Sequence, residues 1–534
     1  MKLNRIATIF SFLSLSMAGI AQNETTSPYT VAGVVDGLSE GTEVYLANYY
    51  GNKLYYNDTA MVNKKGEFSF AGKPFDEQGK YAFVIPGPKY FDFIVADEDI
   101  YFETDTSLLV PKINFKKSLN NQVFFEYIKF ISDQRKKREP WMQVINSENL
   151  EEEQKQSARD NITRLNDEVI DYQKDVIQKH SDLLAVKFIR MTMEVEIPEE
   201  IPAGQDTTEF RYNYYKKHYW DNCDLTDNRM VREQSFHGLL DTYINKVISQ
   251  APDSIIKEAD LLIDRVKGQP DLFKYIVHFM TYNSETSKLM CMDAVFVHLI
   301  DTYYKTGAAN WMEADKLADI IEKSDKKKNT LCNETFPRII LPDSNGVWKG
   351  VHDVDSKYTV VFVWESSCGH CKKEVPKLMK LYEDWKDHGV DVYAIGNDYE
   401  REDWLKFIHE KGMQGLIHVS DDPAISNDSP DTVRYVLANG ITNIESLNFR
   451  QTLDISSTPV LYVLDEDKSI IAKRLNSEQI HDLFVRLEDF DPSGDEVEVA
   501  PMEEKDLIMD EDGLREGEPK KKENKKSSRK RERG

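Results

Sequence analysis

YTVVFVWESSCGHCKKEVP, residues 358–376, joins an apolar run to a pair of cysteines. Residues 360–364 are β-branched or aromatic with no polar break, the pattern of a strand buried on both faces. A small polar turn, residues 365–367, leads to Cys368, Gly369, His370 and Cys371. Beyond it Val375, Leu378 and Leu381 recur at helical spacing. The spacing therefore puts a Cys-x-x-Cys pair where a buried strand hands over to a helix. The first N–H groups of a helix lack internal partners, and the helix dipole leaves positive charge there. A thiolate at that end is stabilised, which makes Cys368 the expected nucleophile. Cys371 falls on the same first turn, placed to attack a mixed disulfide formed at Cys368. Half of a zinc site is the competing reading. Zinc needs about four ligands, and Cys223, Cys291 and Cys332 supply no second pair at short spacing. The redox reading stands ahead, with no metal and no organic cofactor expected.

The segment resembles the active site of the thioredoxin superfamily, in particular the TlpA/ResA-like thiol–disulfide oxidoreductases. Trp364 lies four residues before the first cysteine, as in that family, and Lys-Lys-Glu-Val-Pro after Cys371 fits its Cys-x-x-Glu-x-Pro extension. Downstream, Ser457-Thr458-Pro459-Val460 resembles the family turn whose proline is cis. Ser367 departs from the tryptophan usual before the first cysteine. The resemblance implies a thiol–disulfide oxidoreductase acting on protein disulfides and supplied by a membrane thiol donor. It assigns catalysis to Cys368 and Cys371, with Glu374 as the carboxylate that takes the Cys371 proton. It makes Thr458 and Pro459 the substrate-binding turn and Trp364 a residue that tunes the pair. His370, between the sulfurs, favours the Cys368 thiolate and so a more oxidising couple. Protein disulfide isomerases share Cys-Gly-His-Cys, which keeps isomerase or oxidase action open. Thioredoxin proper has a buried aspartate where Phe362 stands here. A thiol peroxidase shares the fold, but Val361 and Glu365 occupy the positions of its proline and hydroxyl residue.

The rest of the chain frames this site. It has 534 residues, enough for about three domains, and a formal net charge of −25 that argues against a nucleic-acid binder. Residues 1–21 have the parts of a secretory signal: Lys2 and Arg5, an apolar stretch over 6–17, then Gly19-Ile20-Ala21. The expected location is therefore periplasm or cell envelope. From residue 24 to 117 short alternating runs broken by Asp36-Gly37 and Lys65-Gly66 predict a β-sandwich. This stretch resembles the β-rich module found ahead of thioredoxin-like domains in Bacteroidota proteins. Tyr45, Tyr49, Tyr50, Tyr55 and Tyr56 read as strand packing rather than a binding surface.

From 118 to 330 the period becomes helical, as in Val123, Phe124, Tyr127, Ile128 and Ile131, and residues 290–304 read as one further apolar helix. This predicts a central α-helical domain, followed by a C-terminal α/β thioredoxin-like fold over 331–490. His218, His237, His278 and His298 show no paired metal spacing. Cys223 and Cys291 read as inert buried thiols, and Cys332 as an accessory partner at the edge of the redox domain. Residues 421–447 exceed what the fold needs and read as surface rather than a cap over the site. Residues 491–534, acidic and then basic, read as a disordered charged tail. A scaffold protein with an accessory redox domain is the non-enzymatic alternative.

Overall fold

A computed structural model describes residues 30–492, apart from 71–76, 88, 148–149, 399 and 422–429. The predicted signal segment and residues 493–534 of the charged tail lie outside the described residues. The chain divides into two compact units, Met1–Leu239 and Leu240–Gly534.

The first unit opens with eight strands: β1 (Val31–Asp36), β2 (Glu43–Tyr50), β3 (Lys53–Met61), β4 (Glu67–Phe70), β5 (Gly79–Ile85), β6 (Lys89–Val95), β7 (Ile100–Asp105) and β8 (Asn114–Lys117). They form two four-stranded sheets, ordered β4-β1-β7-β8 and β3-β2-β5-β6. Strand β1 buries alternate residues, and Val31 and Val35 join Leu46 and Phe83 of the other sheet in one apolar cluster. Phe68 stacks on Phe83 at 4.7 Å between ring centroids. The tyrosine cluster divides: Tyr49 is buried, whereas Tyr55 and Tyr56 are exposed on β3. Two long helices follow, Leu119–Ile145 and Glu152–Lys179. Val123 and Phe124 are the buried part of the expected stripe, and Phe130 stacks on Tyr172 across the pair. Cys223 is a buried thiol, as its apolar surroundings suggested, with its sulfur 3.7 Å from that of Met191.

The second unit holds the helices Pro252–Arg265, Pro270–Glu285, Asp293–Leu299 and Ala314–Lys328. It continues with β9 (Ile340–Pro342), β10 (Trp348–Gly350), β11 (Tyr358–Trp364), β12 (Val390–Gly396), β13 (Ile417–Ser420), β14 (Val460–Leu464) and β15 (Ile470–Lys473). Five strands make the main sheet, in the order β13-β12-β11-β14-β15. The first three are parallel, β14 runs antiparallel to β11, and β15 runs antiparallel to β14. Strand β11 is wholly buried because both faces are covered. Val360, Phe362 and Trp364 meet the helices Gly369–Trp385 and Ser477–Glu488, while Val361 and Val363 face Phe336, Phe449 and Leu453. Side chains alternate across a strand, so one apolar run fills two cores.

Two expectations are corrected. The apolar stretch 290–304 is not one helix: Cys291 has φ 69, and α-helix begins at Asp293 and gives way to π-helix over Ile300–Tyr304. Cys291 is not an inert thiol either. It is disulfide-bonded to Cys332, 41 residues away, with Cα atoms 5.7 Å apart. This bond ties the turn before Asp293 to the segment that covers the edge strand β15. There Asn333 N–H donates to the Ile470 carbonyl and Phe336 N–H to the Lys468 carbonyl. Lys473 of β15 is almost wholly buried, paired with Asp293, and donates to the Thr330 carbonyl at 2.5 Å. Of the long stretch after β13, residues 430–447 are described. They form the helices Pro430–Ala438 and Ile444–Leu447, and Thr442 and Ser446 anchor them to the backbone of Ile340.

Candidate active site

Strand β11 ends at Trp364, and the helix Gly369–Trp385 begins after a four-residue turn. Cys368 is the N-cap of that helix, with extended backbone, and its sulfur accepts from Cys371 N–H at 3.2 Å. The same sulfur donates to the Thr458 carbonyl at 3.1 Å. The Thr458–Pro459 peptide is cis and precedes β14. A sulfur at a cap position takes the role that an oxygen plays in Ser or Asp caps, and it faces the positive end of the dipole.

The two sulfurs have opposite environments. Cys368 is partly exposed, and Cys371 is fully buried. Burial alone pushes the Cys368 thiol up. Hydrogen bonds from the Thr458 side chain, from Cys371 and from the His370 backbone outweigh it, and the net shift is downward. Burial, and then the Cys368 sulfur, push Cys371 far above the ordinary thiol range, while the Glu365 backbone and the Thr458 side chain pull the other way. Neither cysteine is bonded in a disulfide.

The structure brings the other sequence-predicted residues to different depths. Glu374 is fully buried one helical turn beyond Cys371, and one of its oxygens accepts from both the backbone and the hydroxyl of Ser477 at 2.6 Å. Its second oxygen is buried without a hydrogen-bond partner among the described residues. Trp364 lies in the core below the helix, fully buried and stacked on Phe407 at 4.9 Å, not on the surface around Cys368. His370 is exposed on the first helical turn. Phe362 fills the position of a thioredoxin aspartate with apolar core.

Sequence reasoning missed Asp398 and Ser366. Register pairs Trp364 with Gly396, so the residues following β12 run beside those following β11. Asn397 N–H donates to the Trp364 carbonyl at 2.7 Å. One Asp398 oxygen accepts from Ser366 N–H at 2.9 Å and from its hydroxyl at 2.5 Å. Burial, with Glu365 and Asp403 adding to it, raises the Asp398 pKa although Ser366 lowers it. A signal was present: carboxyl ends of adjacent parallel strands meet at one edge, where α/β sites form. A polar residue just past β12 belonged on the candidate roll for that reason.

Residues 332–473 match the model of the AhpC/TSA family. Residues 29–124 and 143–327 match two domains of unknown function, DUF4369 and DUF5106. Among curated proteins, the thiol-disulfide oxidoreductase ResA of Bacillus thuringiensis (strain Al Hakam) is 26% identical over 91 residues, 17% of this chain and 52% of the relative. ResA of Bacillus subtilis (strain 168) is 32% identical over 59 residues, 11% of this chain and 33% of the relative. The chain thus spans about half the length, or less, of these relatives. Among solved structures, a domain of a possible thiol-disulfide isomerase from Cytophaga hutchinsonii ATCC 33406 is 36% identical, covering 30% of this chain and 94% of that one, with a TM-score of 0.24. A thioredoxin-like protein from Bacteroides caccae ATCC 43185 is 17% identical, covering 54% and 97%, with a TM-score of 0.37. Residues 332–473, with their cysteine pair at the end of a buried strand, are thus similar to the AhpC/TSA family and to the ResA thiol-disulfide oxidoreductases.

Proposed function

We propose that the chain is an exported thiol–disulfide oxidoreductase that reduces or exchanges protein disulfides through Cys368 and Cys371. The observation that carries this reading is the asymmetry of the pair. One sulfur is accessible with its thiolate favoured, and its neighbour is buried with its thiol favoured. The Cys368 thiolate attacks a substrate disulfide, one substrate sulfur leaves as a thiolate, and a mixed disulfide remains. Cys371 gives up its proton to Glu374, attacks Cys368, and the second substrate sulfur leaves. Two electrons pass to the substrate, and the chain ends with a Cys368–Cys371 disulfide that a membrane thiol donor reduces. The unpartnered, buried oxygen of Glu374 supports its role as proton acceptor. The Thr458 carbonyl beside Cys368 supports a substrate strand laid along the turn at Pro459.

The signal-like residues 1–21 support export to the periplasm or envelope. Two four-stranded sheets sharing one core support a β-sandwich over residues 24–117. Helices between residues 118 and 330 and the sheet within 331–490 support a helical and a thioredoxin-like domain. Among the described residues no helix is long and apolar enough to cross a membrane.

A Cys371→Ser variant expressed in its host tests the reading, because it should hold the physiological substrate as a mixed disulfide at Cys368. Insulin reduction by the wild type that is lost in Cys368→Ser is the expected companion result. Absence of activity in both leaves the scaffold reading. Exposed His370 within Cys-Gly-His-Cys favours isomerase or oxidase action as the second reading. Equilibration with glutathione decides, since a strongly reducing couple contradicts it.

A further inference from the structure

We infer that Ser477 is a positioning residue for the second step of the exchange, holding one oxygen of the Glu374 carboxylate so that the other stays available for the Cys371 proton. This rests on the proposed roles of Cys368, Cys371 and Glu374 and adds to them a residue 103 positions after Glu374, on another helix.

The contact follows from how the helix Ser477–Glu488 starts. Asn476 is its N-cap: the Asn476 side chain accepts from Gln479 N–H at 2.9 Å, and the Gln479 side chain accepts from Asn476 N–H at 3.0 Å. This reciprocal cap does not use the Ser477 hydroxyl, and the Ser477 N–H is one of the amides that a helix cannot satisfy internally. Both donate to the same Glu374 oxygen at 2.6 Å. Donors at a helix start suit a negatively charged acceptor. Ser477 and Glu374 are both fully buried, so the grip is sheltered from water. Glu374 lies three residues after Cys371 on the helix Gly369–Trp385, and that spacing puts the two side chains on one face. Lys377, the next charged group along that face, is paired with Glu478 of the other helix at 2.9 Å.

Joining two helices is a poor account of this contact. The amide oxygen of a glutamine would accept both Ser477 bonds without placing a charge in the core. The second Glu374 oxygen is buried with no hydrogen-bond partner among the described residues, and an orphaned buried acceptor destabilises a fold. What the arrangement does supply is a carboxylate fixed through one oxygen, with the other spare, one helical turn beyond the buried thiol.

A symmetric nitrobenzoate disulfide tests this by splitting the reaction into two colour-producing steps. Attack by Cys368 releases one aryl thiolate and leaves an aryl mixed disulfide. Cys371 passes its proton to Glu374 and attacks Cys368, which releases the second aryl thiolate and closes the Cys368–Cys371 bond. Two electrons from the dithiol thus account for two aryl thiolates. Release from a Cys368→Ser variant is subtracted to remove any contribution of Cys223. Ser477→Ala removes a donor to the carboxylate, so Glu374 holds its proton to higher pH. The acid side of the second-phase pH profile is expected to move up by about one unit, a slowing of about tenfold there, with the first phase changed less than twofold. In a Glu374→Gln background the same Ser477→Ala change is expected to alter the second phase less than twofold at every pH, whereas a merely structural loss would slow it in both backgrounds. Should the alanine variant not fold, Ser477→Gly replaces it, with a shift in the same direction expected. An unmoved acid side, equal slowing of both phases, or the same loss in the Glu374→Gln background overturns the assignment. Full second-phase rates in Glu374→Gln alone, or absence of the first phase in the wild type, refute instead the proposed exchange on which it rests.

Discussion

Removing the Cys291–Cys332 bond by a double Cys→Ser substitution should destabilise the second unit by about 3 kcal/mol. The magnitude follows from the loop the bond closes. With 41 residues between the sulfurs, the chain-entropy relation gives about 4 kcal/mol of lost constraint on the unfolded chain. Cys291 sits at φ 69, and a non-glycine residue in that region costs about 1 kcal/mol that the freed turn recovers. Equilibrium urea unfolding followed by tryptophan fluorescence measures the difference. Trp364, Trp385 and Trp404 are buried reporters within this unit. With a urea slope of roughly 3 kcal/mol per molar for a body of this size, the midpoint should fall by about 1 M. A Cys223→Ser variant, which breaks no disulfide, should leave the midpoint of this unit close to that of the wild type. An unchanged midpoint in the double variant would refute the reasoning, since it would mean that the contacts of residues 332–336 along β15 hold the turn unaided.

Three further outcomes are expected. Alkylation of Cys368 should be half-maximal below the ordinary thiol pH range, because its folded pKa is lowered; rates should fall only as pH drops through that lowered value, and mass spectrometry locates the adduct. A midpoint at or above that of a free cysteine would contradict the helix-cap account. Glu374→Gln should slow release of the second aryl thiolate at every pH while leaving attack by Cys368 intact, and full rates across pH would remove Glu374 from the proton path. Asp293→Ala leaves the Lys473 ammonium buried without its carboxylate and should cost about 3–5 kcal/mol, read as a loss in the urea midpoint. Asp293→Asn, which keeps an acceptor, should cost less, and equal losses would show that charge rather than hydrogen bonding holds the pair.

The geometry of the cysteine pair was legible because its parts are local. An apolar run of strand length, a turn, and two cysteines at i and i+3 of a helix specify one another through backbone geometry alone, and Glu374 follows from helical spacing. Strands β11, β12, β14 and β15 were readable for the same reason, with residues 360–364 too apolar to face water on either side. The break at Cys291 was not readable, because the residues around it are good helix formers and the bond that holds the turn open comes from 41 residues downstream.

Sequence by itself therefore determined that a cysteine sits at a helix start with a second cysteine on the same turn, since both depend on spacing along one short segment. The helix-start position already pointed to Cys368 as the accessible sulfur, and the tertiary structure decided how completely Cys371 is sealed in. It also decided that the Thr458 carbonyl and the Asp398 carboxylate reach the turn from strands remote in sequence. Burial and long-range hydrogen bonds set the acidity of a thiol, and neither exists until the sheet has assembled.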